Sequence, residues 1–204
     1  MNKSKYCTIY LVRHGRTDWN DKELIQGHTD TKLNLEGKDS AKKLAKSFKN
    51  IKFDKIYSSD LSRAKQTAEI IALEHKLAVE TTTALRERFF GNIEGESHVL
   101  FKEMNEILDS LDDKARYSYK FNSNMLMESD EEVMNRFINF LREIAISHLG
   151  KTILIATHGG PMRILLAKLG IANYQKIVWI ENLGYIKLES DGVDFFVKET
   201  SGVE

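Results

Sequence analysis

The order of apolar and polar residues predicts strands that alternate with helices along most of the chain. Apolar runs rich in branched side chains, such as residues 7–12 and 152–156, are typical of strands buried on both faces. Shorter runs predict the remaining strands. The predicted strands are residues 7–12, 55–58, 78–83, 152–156, 183–189 and 193–198.

Between these runs, apolar residues recur at the three-to-four-residue spacing of a helix face. The predicted helices cover residues 41–48, 64–72, 97–110, 133–144 and 160–169. Ser129 with Glu132 three residues later matches a capping box, and Pro161 lies near the first turn of the last helix, where proline is tolerated.

Strands that alternate with helices favour a three-layer α/β fold, in which helices cover both faces of a mostly parallel sheet. The last two strands can add an antiparallel edge. The order of the strands and their register do not follow from the pattern.

The composition narrows the class of protein. The 204 residues contain no Gly/Ser linker and no repeat, so we expect a single domain over residues 1–204. Thirty basic residues balance thirty acidic ones, so we expect neither nucleic acid nor a membrane as a partner. The single Cys7 excludes an internal disulfide framework and favours a cytoplasmic protein.

Two strands end in the same way. Residues 9–15 read IYLVRHG, and residues 153–159 read ILIATHG. Ligands of open parallel sheets bind beyond the carboxyl ends of strands, so His14 and His158 converge on one site if their strands are neighbours. A lone histidine after a strand is more often a packed or solvated residue, but the repeated context favours a shared site.

Charged residues strengthen this hypothesis. Arg13 directly follows an apolar strand, and Arg63 follows another short strand. Guanidinium groups bind phosphate oxygens in a bidentate fork. Glu87, in the stretch LRERFFGNIEG of residues 85–95, is able to protonate a leaving alkoxide. Solvated arginines and a surface carboxylate are the alternative interpretation.

Together these segments resemble the histidine phosphatase superfamily, also called the phosphoglycerate mutase-like family. The matching segments follow the family order and are RHGRTDWN at 13–20, QG at 26–27, LNLEG at 33–37, SSDLSRAKQTA at 58–68, LRE at 85–87 and THGG at 157–160. The resemblance implies the phosphoglycerate mutase-like α/β fold and a histidine acid-type phosphatase, which is a phosphoric monoester hydrolase.

The resemblance also implies a catalytic role for five residues. His14 would be the nucleophile that becomes phosphohistidine. Arg13, Arg63 and His158 would hold the phosphoryl oxygens and stabilise charge in the transition state. Glu87 would give a proton to the leaving group and then help to activate water.

Four further residues would bind the substrate by the same resemblance. Asn20 and the backbone near Gly159 would contact phosphate, while Gln26 and Gly27 would line the substrate side. No metal and no cofactor is implied, and the sequence contains no His-Glu-x-x-His or paired-cysteine pattern. The expected partner is a small phosphorylated metabolite, and a homodimer follows from analogy alone.

The chain departs from the family pattern at three positions. Met127 replaces the glycine of a Gly-Glu-Ser motif, Ile93 stands where many relatives have tryptophan, and His28 occupies a variable pocket position. These changes leave the substrate open among sugar phosphates, phosphoglycerates, phosphoserine, nucleoside phosphates and fructose 2,6-bisphosphate. Basic residues that could bind a second anionic group, or be ordinary surface charge, are Arg16, Lys22, Arg86 and Arg88.

The reaction has two main interpretations. Related mutases carry a longer insertion between the acid motif and the second His-Gly, whereas 70 residues separate Glu87 from His158 here. A phosphatase is therefore favoured over a phosphoglycerate mutase. A non-catalytic phospho-ligand binder is a third alternative, which the full set of catalytic residues disfavours.

Overall fold

The computed structural model describes residues 5–121, 126–171 and 179–204. Within these ranges, every predicted strand is present. The strands are β1 (Cys7–Arg13), β2 (Lys55–Ser59), β3 (Val79–Thr82), β4 (Thr152–Thr157), β5 (Ile180–Ser190) and β6 (Phe195–Val203). The last two extend beyond their predicted limits, since β5 begins at Ile180 and β6 continues to Val203.

The strands form one sheet in the order β3-β2-β4-β1-β5-β6. The first four are parallel to one another, while β5 runs antiparallel to β1 and β6 antiparallel to β5. The prediction of a mostly parallel sheet with an antiparallel edge is confirmed. β1 and β4 are neighbours, and their register sets Arg13 opposite Thr157, so both strands end at the same level.

Each predicted helix is also observed. The helices are α1 (Asp18–Asp21), α2 (Leu35–Ser47), α3 (Ser62–His75), α4 (His98–Asp109), α5 (Asp113–Ser118), α6 (Asp130–Ser147) and α7 (Gly159–Lys168). Ser129 caps α6 in the predicted capping box with Glu132. The short helices α1 and α5 were not predicted, because so few residues show no periodicity. Among the described helices, none is both long and apolar enough to cross a membrane.

Alternating side chains of the central strands build a core on each face of the sheet. Ile9 and Leu11 point to the face covered by α6 and α7, whereas Tyr10 and Val12 point to the face covered by α2 and α3. Side chains from β4 divide between the faces in the same way. The three-layer architecture expected from the sequence is confirmed.

A smaller apolar cluster lies apart from these two cores. It contains Ile25, Phe90, Ile93 and Met127. Ile93 and Met127 are both departures from the family pattern, and the structure packs them into the same cluster. The side chains at these positions therefore support the loops that surround the ends of β1 and β4.

Candidate active site

His14 follows β1 directly, and its backbone and side chain are both held. Its backbone N–H donates to the carbonyl of Thr157 at 2.9 Å, and its Nδ1 lies 2.8 Å from the carbonyl oxygen of Gly15. Because a carbonyl oxygen only accepts, Nδ1 carries the proton of the neutral ring. The lone pair is therefore on Nε2, as a nucleophile requires.

His158 follows β4 and is the N-cap residue of α7. Its ring centroid lies 5.2 Å from that of His14, so the structure brings the two predicted histidines together. The His158 side chain is fully buried, and neither ring nitrogen has a hydrogen-bond partner within the described part of the chain. Buried polar atoms are nearly always paired, so a ligand is the expected partner.

Arg13 and Arg63 reach the same place, and backbone carbonyls hold both guanidinium groups. Arg13 donates from Nη1 to the carbonyl of Ile180, and its guanidinium lies 5.5 Å from the ring centroid of Trp179. Arg63 donates to the carbonyls of Gly27 at 2.7 Å and Thr29 at 3.0 Å. In both arginines the Nε atom is buried and has no hydrogen-bond partner among the described residues.

The electrostatics of this cluster suit an anion. Burial, followed by the charges of Arg63 and Arg13, lowers the pKa of His14 well below its usual value. The pKa of His158 falls in the same direction, again chiefly through burial. Burial also lowers the pKa of Arg13 and of Arg63 to about 10, which keeps both charged at neutral pH. Two cations therefore flank two neutral imidazoles.

Glu87 lies beside this cluster at the start of α7. Its carboxylate accepts from the backbone N–H of Arg88 at 2.8 Å and from that of Gly160 at 3.1 Å. The helix approaches so closely that a Cβ at position 160 would lie 2.0 Å from Oε1. The negative charge of Glu87 raises the pKa of both Arg13 and Arg63, so it partly offsets the effect of burial on the two guanidinium groups.

Arg136 of α6 anchors the backbone that carries Glu87. It donates to the carbonyls of Arg86 at 2.6 Å and Glu87 at 2.7 Å. Glu128 holds this arginine through two hydrogen bonds of 2.9 and 2.8 Å. Glu128 belongs to the segment that resembles a Gly-Glu-Ser motif, but no sequence signal distinguishes Arg136 from other helix arginines.

The loop of residues 26–31 forms another side of the candidate site, and Glu94 holds this loop in place through hydrogen bonds. The Glu94 carboxylate accepts from the backbone N–H groups of His28 and Thr29, both at 2.8 Å. Gly27 adopts a φ of +53°, and a Cβ there would lie 2.0 Å from Glu94 Oε1. Gln26 is buried beside it, with its side-chain oxygen accepting from Thr31 at 2.7 Å. Gln26 and Gly27, which were expected to line the substrate side, thus belong to a loop that hydrogen bonds hold in place.

Asn20 and Asn182 meet next to His14. The Oδ1 atom of Asn20 accepts from the backbone N–H of Thr17 at 3.1 Å, which leaves its amide group as the donor for a ligand. Asn182, on β5, donates from Nδ2 to the carbonyl of His14 at 3.0 Å and lies 3.5 Å from Asn20 Oδ1. The sequence did not single out Asn182, because it follows no motif.

Three of the four basic residues considered for a second anion are already paired. Arg86 forms a bidentate pair with Asp60 at 2.8 and 2.6 Å. The remaining pairs are Arg16 with Asp21 and the buried Arg88 with Asp130. Lys22 is exposed.

No group of three or more His, Cys, Asp or Glu side chains that could hold a metal ion occurs among the described residues.

A pair of buried histidines at neighbouring strand ends, flanked by two arginines and a carboxylate, defines an α/β protein with a buried cationic site suited to an anion. The chain belongs to the histidine phosphatase superfamily, whose branch 1 model matches residues 9–201. It is 38% identical to phosphoglycerate mutase-like protein 4 of Arabidopsis thaliana over 78% of this chain and 70% of that protein. It is 30% identical to a broad-specificity phosphatase of Saccharomyces cerevisiae over 96% and 86% of the two chains.

Solved structures agree with this assignment. A phosphoglycerate mutase from Bacillus anthracis superposes with a TM-score of 0.82 at 25% identity, over 98% of this chain and 94% of that one. A phosphoserine phosphatase from Entamoeba histolytica, solved in complex with 3-phosphoglyceric acid, has a TM-score of 0.72 at 26% identity, over 95% and 96%. The phosphoglycerate mutase-like fold expected from the sequence is confirmed.

Proposed function

We propose that this protein is a phosphomonoesterase that hydrolyses small phosphorylated metabolites through a phosphohistidine on His14. The observation that carries the proposal is a group of buried nitrogen atoms around the neutral His14 ring that have no hydrogen-bond partner in the described part of the chain. They belong to Arg13, Arg63 and His158. A phosphoryl group with its oxygens among these nitrogens would satisfy them and neutralise the excess positive charge.

In the first step, Nε2 of His14 attacks phosphorus and the bond from phosphorus to the ester oxygen breaks. Arg13 and Arg63 stabilise the charge on the equatorial oxygens. Glu87 donates a proton to the departing alkoxide, so the alcohol leaves neutral. Because Nδ1 already carries a proton that it shares with Gly15, the ring becomes phosphorylated without having to lose one first.

In the second step, water attacks phosphorus and the bond from phosphorus to nitrogen breaks. Glu87, now a carboxylate, accepts a proton from the water. Inorganic phosphate leaves and His14 returns to its neutral form. Asn20 and the backbone at Gly159, the first residue of α7, serve as additional donors to the phosphoryl oxygens.

Hydrolysis of p-nitrophenyl phosphate tests the proposal. His14→Ala is expected to abolish turnover, and His148→Gln, at the end of α6 away from the site, is the matched histidine control. Wild-type protein quenched during turnover should contain a phosphoryl label that is labile in acid and stable in alkali, as a phosphorus–nitrogen bond is. Turnover by His14→Ala equal to that of the control would refute the role of His14.

The similarity to mutases favours a second candidate function, phosphoryl transfer between hydroxyl groups of phosphoglycerate. The two activities share the phosphohistidine and differ in the final acceptor. Assays of free phosphate and of 2-phosphoglycerate formed from 3-phosphoglycerate separate them. Isomerisation that exceeds release of phosphate would favour the mutase.

A further inference from the structure

Trp179 comes directly before β5, and its side chain lies against Arg13. The centroid of its ring is 5.5 Å from the carbon atom of the Arg13 guanidinium. Two hydrogen bonds hold its backbone, since its N–H donates to the carbonyl of Glu204 at 3.0 Å and its carbonyl accepts from the N–H of Glu204 at 2.9 Å. Trp179 is 50% exposed and belongs to none of the three apolar clusters. The described partner of the ring is therefore Arg13.

The Arg13 guanidinium is held at one nitrogen and open along one edge. Its Nη1 donates to the carbonyl of Ile180, the first residue of β5. Within the described part of the chain neither Nε nor Nη2 makes a hydrogen bond, and Nε is buried. The N–H groups of Nε and Nη2 lie side by side along one edge of the planar group. This edge is a fork that can bind two oxygens of a phosphoryl group.

Arg63 has fewer free donors than Arg13. Both of its terminal nitrogens donate to backbone carbonyls, Nη1 to that of Thr29 and Nη2 to that of Gly27. Its Nε is left without a hydrogen-bond partner among the described residues. The bidentate contact with a phosphoryl group therefore falls to Arg13, and it depends on the orientation of that guanidinium plane.

The start of α7 is another neighbour of the Arg13 guanidinium. A Cβ at Gly159, the first residue of this helix, would lie 3.4 Å from Arg13 Nε and 3.7 Å from its Cζ. Glycine lets the helix come this close, but it supplies no side chain that could hold the guanidinium plane. The aromatic face that can do so is that of Trp179.

We infer that Trp179 is a positioning residue for the phosphoryl group and acts through Arg13. The hydrogen bond from Nη1 to Ile180 fixes one point of the guanidinium and leaves its plane free to tilt. The face of an aromatic ring attracts a cation and holds a planar guanidinium against it. The ring and the carbonyl together direct the edge of Nε and Nη2 at the phosphoryl oxygens. The inference rests on the proposed function, because it takes a phosphoryl group as the ligand of this edge.

Trp179→Leu keeps an apolar side chain and removes the aromatic face. We expect its kcat/KM to fall by about threefold to thirtyfold, the range that a cation–π contact supplies. The loss should be equal for p-nitrophenyl phosphate and for a sugar phosphate, because the ring acts on the phosphoryl oxygens and not on the leaving group. The inhibition constant of orthovanadate should rise by a similar factor, since its oxygens would meet the same donors.

Trp179→Phe should recover most of this loss, because a smaller aromatic face remains. Phe196→Leu is the matched control and should keep wild-type activity. Phe196 is an exposed aromatic residue on β6 that packs against Tyr6, at the end of the sheet away from the candidate site. If Trp179→Leu does not fold, as judged by circular dichroism, Trp179→Gln replaces it in the same comparison.

A double-mutant cycle with Arg13→Lys tests whether the ring acts through Arg13. Lysine keeps the positive charge but has no planar fork to orient. Adding Trp179→Leu to Arg13→Lys should therefore cost about twofold at most in kcat/KM. A ring that only stabilised the fold would lower the activity of both backgrounds by the same factor.

Three results would each overturn the inference. They are a kcat/KM of Trp179→Leu within about twofold of wild type, a loss in Trp179→Phe equal to that in Trp179→Leu, and losses that multiply in the double variant. In each case hydrolysis by the wild type leaves the proposed function standing. Absence of hydrolysis by the wild type on every substrate would refute the proposed function and, with it, the inference.

Discussion

Replacing Gly160 with alanine should displace Glu87 without unfolding the helix that Gly160 belongs to. The added Cβ would lie 2.0 Å from Oε1 and 3.0 Å from Cδ of Glu87, well inside van der Waals contact. The carboxylate must therefore withdraw by about 1 Å, and a misplacement of this size costs roughly a hundredfold in rate. Alanine suits a helix better than glycine by up to about 1 kcal/mol, so α7 should persist.

The assay compares a poor leaving group with a good one. The kcat/KM of Gly160→Ala for a sugar phosphate should fall by about a hundredfold, because the alkoxide needs a well-placed proton donor. The loss on p-nitrophenyl phosphate should be much smaller, since nitrophenolate leaves without protonation. Circular dichroism and the melting temperature establish that the variant is folded.

A double-mutant cycle with Glu87→Gln separates this mechanism from a general disturbance of the site. General acid catalysis contributes about 10²–10⁴-fold, so Glu87→Gln alone should cost that much on the sugar phosphate. Adding Gly160→Ala should then cost about twofold at most, because the acid is already lost. Losses that multiply in the double variant, or sugar phosphate turnover within threefold of wild type in Gly160→Ala, would refute the reasoning.

Three further predictions concern the groups around this acid. Asn182→Asp places an acceptor against the carbonyl of His14, so kcat/KM should fall by about tenfold. A wild-type value of kcat/KM would exclude a role for Asn182 in positioning His14. The depressed pKa of His14 means that the ring stays neutral as pH falls through 6.5, so ¹⁵N NMR at pH 6 should show the neutral Nδ1–H tautomer and not imidazolium. Glu94→Gln should lower the free energy of unfolding by about 2–3 kcal/mol in urea titrations. One of the two carboxylate oxygens that accept from backbone N–H groups is then replaced by an NH₂ group, which donates instead. A loss below about 0.5 kcal/mol would contradict this reasoning.

The hydrophobic pattern was sufficient to predict the layers of the fold, but it did not predict the order of the strands in the sheet. The continuous apolar runs around Leu11 and Ile155 predicted strands buried on both faces, and each run does contribute to both cores. The position of β1 between β4 and β5 depends on contacts between distant segments, which leave no periodic trace. The end of β6 was missed because this exposed edge strand has little apolar alternation in its second half. The start of β5 was missed because its pairing with β6 shifts register between Ile180 and Tyr185, which interrupts the alternation there.

For the candidate site, motifs predicted the residues that would face a ligand but not those that hold them. His14, His158 and Arg63 stand in recognisable segments, and the structure brings them together. Arg136 and Asn182 act through backbone carbonyls, and any helix or strand of the right geometry could supply such contacts. Residues of this kind become visible only when the tertiary contacts are known.

The contact between Asn182 and the His14 carbonyl joins the start of the chain to a strand near its end. During synthesis on the ribosome, β1 emerges long before β5, so for most of translation His14 lacks this contact. Competence for phosphoryl transfer should therefore arise late, when the β5–β6 hairpin docks on the edge of β1. A nascent chain that lacks this hairpin would carry every motif residue from His14 to His158 and would still lack the contacts that β5 makes with the His14 carbonyl and the Arg13 side chain.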